Sequence, residues 1–215
     1  MGSLGVLGVV ALQIVPLVVA IVLHELAHGH TARLCGDHTA ERAGRLSLNP
    51  LRHLDPVGSF LVPAMLALGS YAAGVRPVMF GWARPVPVDA ANFRHPRRDM
   101  VLVALAGPAA NGVIALGAAA ALAAAVHSPV IGRLGLEILA VTVVVNCILG
   151  VFNLLPVPPL DGGRVLQAAL PRSWARHLRT LDGVGMVVVV LLVMQTNVVG
   201  VLARPVIDWL LSWAG

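Results

Sequence analysis

The sequence predicts an all-α polytopic membrane protein, and three observations support this fold class. The chain of 215 residues is 58% hydrophobic, only 12% of its residues are charged, and its mean hydropathy is +0.86. A soluble domain of this size usually carries about 25% charged residues. Apolar stretches alternate with polar ones, and a helix needs about 20 apolar residues to cross a bilayer. Soluble, disordered and nucleic-acid-binding proteins are therefore excluded as main interpretations.

The apolar stretches run over roughly residues 4–34, 57–80, 100–126, 131–155 and 183–203. They predict about four full transmembrane helices, together with a re-entrant hydrophobic segment at 57–80. Short re-entrant or β-like pieces are expected in residues 36–56 and 81–92. The first stretch has no basic region before it and runs directly into a polar motif, so we expect a transmembrane helix there and not a cleavable signal.

Small and aromatic side chains predict how the remaining segments pack. The Ala-rich stretch 118–125 is typical of helices that approach each other closely through small side chains. All four tryptophans lie at or beyond the ends of apolar segments, which suits the interfacial aromatic belt. The tail Arg204–Gly215 carries two of them, and we expect it to lie along the membrane interface.

The strongest local signal is His24-Glu25-Leu26-Ala27-His28, which lies within the first apolar stretch. On a helix the two histidines lie one turn apart on the same face and can ligate one metal ion. Zn²⁺ suits imidazole ligands in a tetrahedral site, and Glu25 is placed to take a proton from water at the metal. Ionisable side chains inside a membrane are expensive, and they are typical of functional sites.

A catalytic zinc site needs a third protein ligand, which must come from elsewhere in the chain. Besides Glu25, the carboxylates in or beside apolar stretches belong to Glu137 and Asp161. Glu137 lies near the start of its segment, where a negative charge is unremarkable at a helix N-terminus. Asp161 follows a proline-rich strip that forbids a continuous helix, and it precedes two glycines that let backbone or substrate come close. This is a suitable setting for a ligand carboxylate.

Together with Gly107-Pro108-Ala109-Ala110-Asn111 and Asn153…Pro156…Pro159-Leu160-Asp161-Gly162-Gly163, the helix motif resembles the site-2 protease family of intramembrane zinc metalloproteases. Residues 44–50 and 81–88 resemble its compact bacterial and archaeal branch, which lacks a PDZ or CBS domain. The resemblance covers about residues 15–170, with the motifs in the family's order. It implies that His24, His28 and Asp161 hold one zinc ion per chain and that Glu25 is the general base.

Asn111 and Asn153 are candidate catalytic residues, because both lie within the family's motifs. As donors near the zinc they would stabilise an oxyanion or hold a substrate strand. The alternative is that they are hydrogen-bonding glue between helices. His53 and Asp55 resemble a family segment near the active site. They have either a supporting or gating role there or a purely structural role in the loop.

Residues 57–80 are expected to enter and leave the membrane on the same side. If this stretch crossed once, a core about 30 Å thick would separate Asp161 from His24, whereas zinc needs its ligands at about 2 Å. All 15 basic residues are arginines, and a hairpin brings three groups of them to the inner side, as the positive-inside rule requires. Suitable break points between two half-helices are Pro63, Gly69, Gly74 and Pro77.

The resemblance implies zinc-dependent intramembrane proteolysis by a multi-pass protein of the cell membrane, with residues 1–215 forming a single metalloprotease domain. The enzyme would hydrolyse a peptide bond within or near the transmembrane segment of its substrate. The expected partners are single-pass transmembrane protein substrates and the lipid bilayer; a homo-oligomer stays open, and nucleic acid is not expected.

Two alternatives are weighed against this function. The first is a non-proteolytic membrane zinc-binding or scaffold protein, but such a role does not need a base at Glu25. The second is a zinc protease of unrelated fold that acts on soluble or lipidated peptides, and the segment around Asp161 argues against it.

Overall fold

The computed structural model describes residues 6–72, 74, 81–128, 130–180 and 182–215, and helices dominate this part of the chain. The short α2 follows the first long helix, and the second half of the chain is almost continuously helical. The helices are α1 (Val6–Leu34), α2 (Thr39–Arg42), α3 (Val62–Ala72), α4 (Pro96–Ala125), α5 (Arg133–Asn153), α6 (Asp161–Ala169), α7 (Arg172–Thr180), α8 (Asp182–Gln195) and α9 (Val198–Leu211).

Three of these helices, α1, α4 and α5, are long and apolar enough to cross a membrane. The pair α8 and α9 is bent by 64° and would make a fourth span if the two helices are counted together. The all-α, multi-pass fold is therefore confirmed, but the full transmembrane helix expected at 183–203 is broken. The break falls at Thr196 and Asn197, whose side chains favour caps and turns over helix interiors.

Helix α4 lies between α1 and α5 and runs antiparallel to both. Along α1 the side chains of His24 and His28 meet Asn111 and Val103 of α4, so the residue numbers run in opposite directions. Towards the other end of α4, small alanine side chains pack against α5 in one buried cluster: Ala115, Ala118, Ala119, Val143 and Cys147. This confirms the close packing expected from the Ala-rich stretch, and it makes α1 and α5 parallel.

The end of α1 and the start of α4 meet at one end of the bundle. Helix α1 ends because Gly36 adopts a left-handed conformation with φ of +106°, which favours glycine. The N–H of Arg94 donates to the carbonyl of Cys35 at 3.3 Å, and the N–H of Asp89 donates to Asp37 Oδ2 at 2.7 Å. The chain between the two helices therefore returns to the end of the bundle that it left, as expected if residues 57–80 enter and leave the membrane on the same side.

The expected hairpin at 57–80 begins as one helical arm, in which a π-helical turn over Pro56–Leu61 passes directly into α3. Pro63 and Gly69 do not break the arm, contrary to the expectation. Pro63 lies where the helical register changes, so its missing N–H is tolerated there. The arm ends before Gly74, whose φ is +65°, whereas Pro77 lies outside the described residues. The chain then comes back to the base of the arm, where the N–H of Trp82 donates to the carbonyl of Gly58 at 3.1 Å.

The β-like pieces expected in 36–56 and 81–92 are not strands, since the described residues contain no strand. The first region folds into α2 and a 3₁₀ turn at Pro50–His53. Residues 81–89 form an irregular segment without strand pairing, followed by a 3₁₀ turn at Ala90–Asn92. Pro85 and Pro87 lack the N–H groups that a strand would need for regular pairing.

The C-terminal tail packs one face against the bundle, and the expectation that it lies along the membrane interface stays a prediction. Leu210 is only 2% exposed and belongs to the buried cluster between α4 and α5. Ile207 and Leu211 pack against the same cluster, and their spacing gives α9 one apolar face. Trp209 and Trp213 stay largely exposed and contact each other edge to face, with ring centroids 5.0 Å apart.

Candidate metal centre

Three buried side chains converge between α1 and the start of α6. His24 and His28 lie one turn apart on α1, and Asp161 is the first residue of α6. The Nε2 atoms of the two histidines are 3.0 Å apart, and each lies 3.2 Å from Asp161 Oδ2. His24 is 6% exposed, His28 4% and Asp161 6%, so all three potential ligand atoms meet away from solvent.

The segment before α6 brings Asp161 back to the histidines although α5 ends eight residues earlier, at Asn153. Prolines prevent α5 from continuing, and the chain turns before α6 starts. Gly162 and Gly163 let the first turn of α6 press against this connection, because a Cβ at either position would overlap the backbone of residues 154–158. The two glycines therefore set the position of the carboxylate.

The other ring nitrogen of each histidine has a hydrogen-bond partner on α4. His28 Nδ1 lies 2.7 Å from the carbonyl oxygen of Val103, which can only accept a hydrogen bond. His24 Nδ1 lies 2.6 Å from the side-chain Oδ1 of Asn111. With Nδ1 carrying the hydrogen in both rings, each Nε2 keeps its lone pair towards the other ligand atoms. Such an outer hydrogen bond is the usual partner of a metal-ligating histidine.

Gly107 on α4 faces the two Nε2 atoms directly. A Cβ at this position would lie 2.6 Å from His24 Nε2 and still closer to His28 Nε2. These are separations that a real Cβ does not tolerate, so the centre needs the missing side chain of glycine. The same helix supplies Val103 and Asn111, and α4 therefore forms one complete wall of the centre.

The donor set fits a zinc ion. Two imidazole nitrogens and one carboxylate oxygen are typical catalytic zinc ligands, and three protein ligands leave one position for water or substrate. Ligands of a tetrahedral zinc at about 2.0–2.1 Å lie roughly 3.3 Å from one another. The observed separations of 3.0–3.2 Å match the edges of such a tetrahedron.

Glu25 contacts a short segment without regular secondary structure, Arg84–Val86, which we name the strap. The backbone N–H of Val86 donates to Glu25 Oε2 at 2.8 Å. The Val86 side chain is buried close to Gly29, one turn beyond Glu25 on α1. The strap thus lies across the face of α1 that carries Glu25.

Arg45 also binds the strap. Its Nη2 donates to the carbonyl of Arg84 at 2.6 Å and to that of Pro85 at 3.3 Å. Arg45 is only 9% exposed, which is unusual for an arginine. Sequence reasoning missed Arg45 and Val86. Arg45 stands in the quoted stretch 44–50, but nothing local distinguishes it, and a backbone N–H has no sequence signature at all.

The asparagines considered from the sequence fall in different places. Asn111 contacts His24, and its Nδ2 donates to Oδ1 of Asn146 on α5 at 3.0 Å. Asn153 donates to the carbonyl of Leu149 at 3.0 Å, within its own helix. Catalytic roles for Asn111 and Asn153 stay predictions. Asn146 on α5 is the asparagine that joins Asn111 beside the metal centre.

His53 and Asp55 hold the loop beside the strap. His53 Nε2 donates to the carbonyl of Ser47 at 2.7 Å, and the carbonyl of His53 accepts from the N–H of Arg84 at 2.8 Å. Asp55 Oδ1 accepts from the backbone N–H groups of Val57 and Gly58, which caps the helical arm. Their contacts are those of a structured loop that also supports the strap.

Comparisons with known proteins agree with this architecture. The family model described as "Peptidase family M50" matches residues 131–195, which include Asp161. "Putative zinc metalloprotease YwhC" of Bacillus subtilis (strain 168) is 36% identical over 190 residues, which cover 83% of this chain and 78% of the relative. "Putative zinc metalloprotease Rip2" of Mycolicibacterium smegmatis is 33% identical over 196 residues, covering 88% of this chain and 69% of the relative. No solved structure matches the chain.

Fold and site together define a class of protein: a multi-pass membrane protein in which two buried histidines of α1 and the buried Asp161 at the start of α6 form a group that could hold a metal ion. The chain belongs to peptidase family M50, the site-2 protease family of zinc metalloproteases.

Proposed function

We propose that this protein is a zinc-dependent intramembrane endopeptidase, with one zinc ion per chain held by His24, His28 and Asp161. Glu25 is the general base and acid of the reaction. The substrates are single-pass transmembrane proteins, which the enzyme cuts within or near the membrane-spanning segment.

The depth of the ligand set is the observation that carries this proposal. His24 and His28 lie within the candidate span Leu12–Leu34, and Gly107 and Asn111 lie within the candidate span Pro96–Ala125. A protease that acted on soluble peptides would have no need to bury three ionisable groups between membrane helices, where each is expensive. The location therefore supports a scissile bond that is itself at membrane depth.

Zinc bound by these residues would supply a Lewis acid that polarises the scissile carbonyl and lowers the pKa of water to about 7. The Glu25 carboxylate takes the proton of the attacking water and passes it to the leaving amine nitrogen. The C–N bond then breaks, the water oxygen stays on the new carboxyl group, and Glu25 returns to its ionised form. Val86 N–H, by donating to Oε2, holds this carboxylate in one orientation during the proton transfers.

The substrate must present extended backbone to this centre. A transmembrane helix engages its own carbonyls in hydrogen bonds, so the scissile bond becomes accessible only where the helix unwinds. We therefore expect substrates whose spanning helix is locally weak, with glycine, proline or polar residues near the cleaved bond.

Glu25→Gln is the direct test, because glutamine has nearly the same shape but cannot accept the proton. We expect the purified variant to keep about one zinc ion per chain and to lose turnover of a model transmembrane substrate by about 10²-fold or more. His28→Ala is the matched variant for the metal, and it should lose both zinc and turnover.

The outcomes separate the proposal from its alternatives. Undiminished cleavage by Glu25→Gln would refute the mechanism. Zinc binding without any cleavage, by the wild-type protein as well, would favour the non-proteolytic zinc-binding or scaffold protein. Full zinc occupancy in Asp161→Ala would remove Asp161 from the ligand set.

A further inference from the structure

We infer that Asn146 is a positioning residue for the metal centre: through Asn111 it fixes which ring nitrogen of His24 carries the hydrogen. The inference rests on the proposed function only in taking His24 as a zinc ligand. Asn146 does not contact His24 itself, but we infer that it controls the tautomer of His24 through Asn111.

The relay is the series of hydrogen bonds from Thr142 through Asn146 and Asn111 to His24. It starts at a backbone carbonyl whose direction is fixed. The carbonyl oxygen of Thr142 on α5 can only accept a hydrogen bond, and it lies 2.9 Å from the side-chain nitrogen of Asn146. The amide of Asn146 must therefore point its Nδ2 towards Thr142, which leaves its Oδ1 directed towards α4. A backbone carbonyl in a helix cannot turn round, so this end of the relay has one orientation.

The second link carries this direction to α4. Oδ1 of Asn146 lies 3.0 Å from Nδ2 of Asn111, so the Asn111 amide donates at this end. Its own Oδ1 is then directed at His24 Nδ1, at 2.6 Å, where only a ring N–H can complete the hydrogen bond. Nδ1 of His24 therefore carries the hydrogen, and Nε2 keeps the lone pair that a metal ion needs.

Burial makes the relay effective. Asn111 is fully buried and Asn146 is 1% exposed, so neither amide can exchange its partner for bulk water. A buried polar group left without a partner costs about 1–3 kcal/mol, which disfavours the flipped orientation of either amide. His28 needs no relay, because its Nδ1 faces the carbonyl of Val103 directly. Both ligand tautomers thus depend on backbone carbonyls, one directly and one through two side chains.

Asn146→Leu is the variant that tests the relay. Without the acceptor at position 146, the Asn111 amide is free to flip and to present Nδ2 to His24, which favours hydrogen on Nε2. We expect zinc affinity, measured by competition with a chelator, to fall by about 10- to 100-fold, the usual effect of losing an outer partner of a metal ligand. Asn146→Asp keeps an acceptor for Asn111 in nearly the same volume and, as the neutral acid, a donor for the Thr142 carbonyl, so it should retain most of the wild-type affinity.

Asn153→Leu is the matched control for zinc affinity and thermal stability. Asn153 lies on the same helix and donates to the carbonyl four residues earlier, as Asn146 does, but its amide is not part of the relay. Its removal should change zinc affinity by less than about twofold. A loss in Asn146→Asp as large as that in Asn146→Leu would show a packing role and overturn the inference.

A direct readout covers the case in which Asn146→Leu does not fold. In metal-free wild-type protein labelled with ¹⁵N-histidine, the His24 signal, assigned with His24→Gln, should report hydrogen on Nδ1; hydrogen on Nε2 with a bare Nδ1 would refute the relay. The zinc content of wild-type protein and of His24→Ala distinguishes failure of the proposed function from failure of the relay. If zinc binding does not depend on His24, the proposed function fails; if it does and Asn146→Leu binds zinc normally, only the relay fails.

Discussion

At the scale of single residues, the centre depends as much on an absent side chain as on those that are present. Gly107 stands opposite the two Nε2 atoms, in the space that a metal ion and its substrate would share. Glycine costs roughly 1 kcal/mol relative to alanine inside a helix. Here that cost is offset by the approach of α4 to α1 at the ligand atoms.

Gly107→Ala should therefore abolish tight zinc binding although the change is a single methyl group. The clash involves helix backbone on one side and two hydrogen-bonded rings on the other, so neither side can move away cheaply. Gly112→Ala is the control, because a Cβ there meets nothing within 4 Å. Zinc titration should show loss in the first variant and unchanged affinity in the second. Normal zinc binding by Gly107→Ala would contradict the assignment of this space.

At the scale of elements, the strap and α1 act as a pair. Glu25 has a side chain suited to proton transfer, but the orientation of its carboxylate comes from the backbone N–H of Val86, 61 residues further along the chain. Arg45 in turn holds that segment by two carbonyl groups.

Val86→Pro removes this N–H, and its neighbours Pro85 and Pro87 show that the chain here accepts proline. We expect kcat to fall by about tenfold or more while zinc content stays at the wild-type level, since a hydrogen bond to a charged group is worth about 1.5–3 kcal/mol. Val86→Ala keeps the N–H and loses only side-chain packing, so its kcat should fall much less. Equal kcat values for the two variants would argue against a positioning role for the strap.

The junction between α1 and α4 is a second element-level device, and it predicts a pH dependence. Burial alone would raise the pKa of Asp37, but hydrogen bonds from Thr39, Asp89 and Asn92 outweigh it and hold the pKa below the ordinary 3.8. A carboxyl whose pKa is lower in the folded state stabilises the fold above its unfolded pKa, and this contribution disappears as the pH falls through the folded pKa.

Thermal unfolding in detergent should therefore show a Tm that decreases below about pH 4, and Asp37→Asn should flatten part of this decrease and lower Tm at pH 7. Asp208→Asn is the control, because Asp208 pairs with Arg204 at 3.6 Å on the exposed face of α9, where ion pairs contribute little. The same pH profile in Asp37→Asn as in the wild type would exclude Asp37 as the titrating group.

At the scale of the whole molecule, one parity argument links the topology to the ligand set. The proposed ligands come from α1 and α6, and they can meet only if the chain between α1 and α4 returns to the side that it left. Hydrogen bonds join residues 35–37 to residues 89–94, so the chain does return to the end of α1 before α4 begins.

Single cysteines in a background without Cys35 and Cys147 test this topology in intact cells. Leu51→Cys and Ala91→Cys should both be protected from a membrane-impermeant reagent and should react after lysis, because they flank the re-entrant arm on the inner side. Val130→Cys lies in the connection between α4 and α5 and should react in intact cells. Opposite behaviour of positions 51 and 91 would refute a common side.

Much of this architecture follows from the sequence for identifiable reasons. Helical periodicity places His24 and His28 on one face, and apolar length identifies α1, α4 and α5. The return of Asp161 to the histidines could be argued because three ligands must meet at one ion. The broken α8–α9 pair and the buried tail could not, because composition alone does not say which apolar face finds a partner in the bundle. Gly107, Arg45 and the N–H of Val86 were equally inaccessible, since their roles exist only once α4 and the strap lie against α1.

The distance along the chain between the ligands has a consequence in time. His28 and Asp161 are 133 residues apart in the sequence. At a synthesis rate of about 5–20 residues per second, a nascent chain carries both histidines for roughly 7–27 s before its carboxylate exists. Throughout that interval the nascent chain has the two histidines of the proposed site without the third ligand. The order of translation thus means that the proposed ligand set is complete only after α1, α4 and α5 have been synthesised.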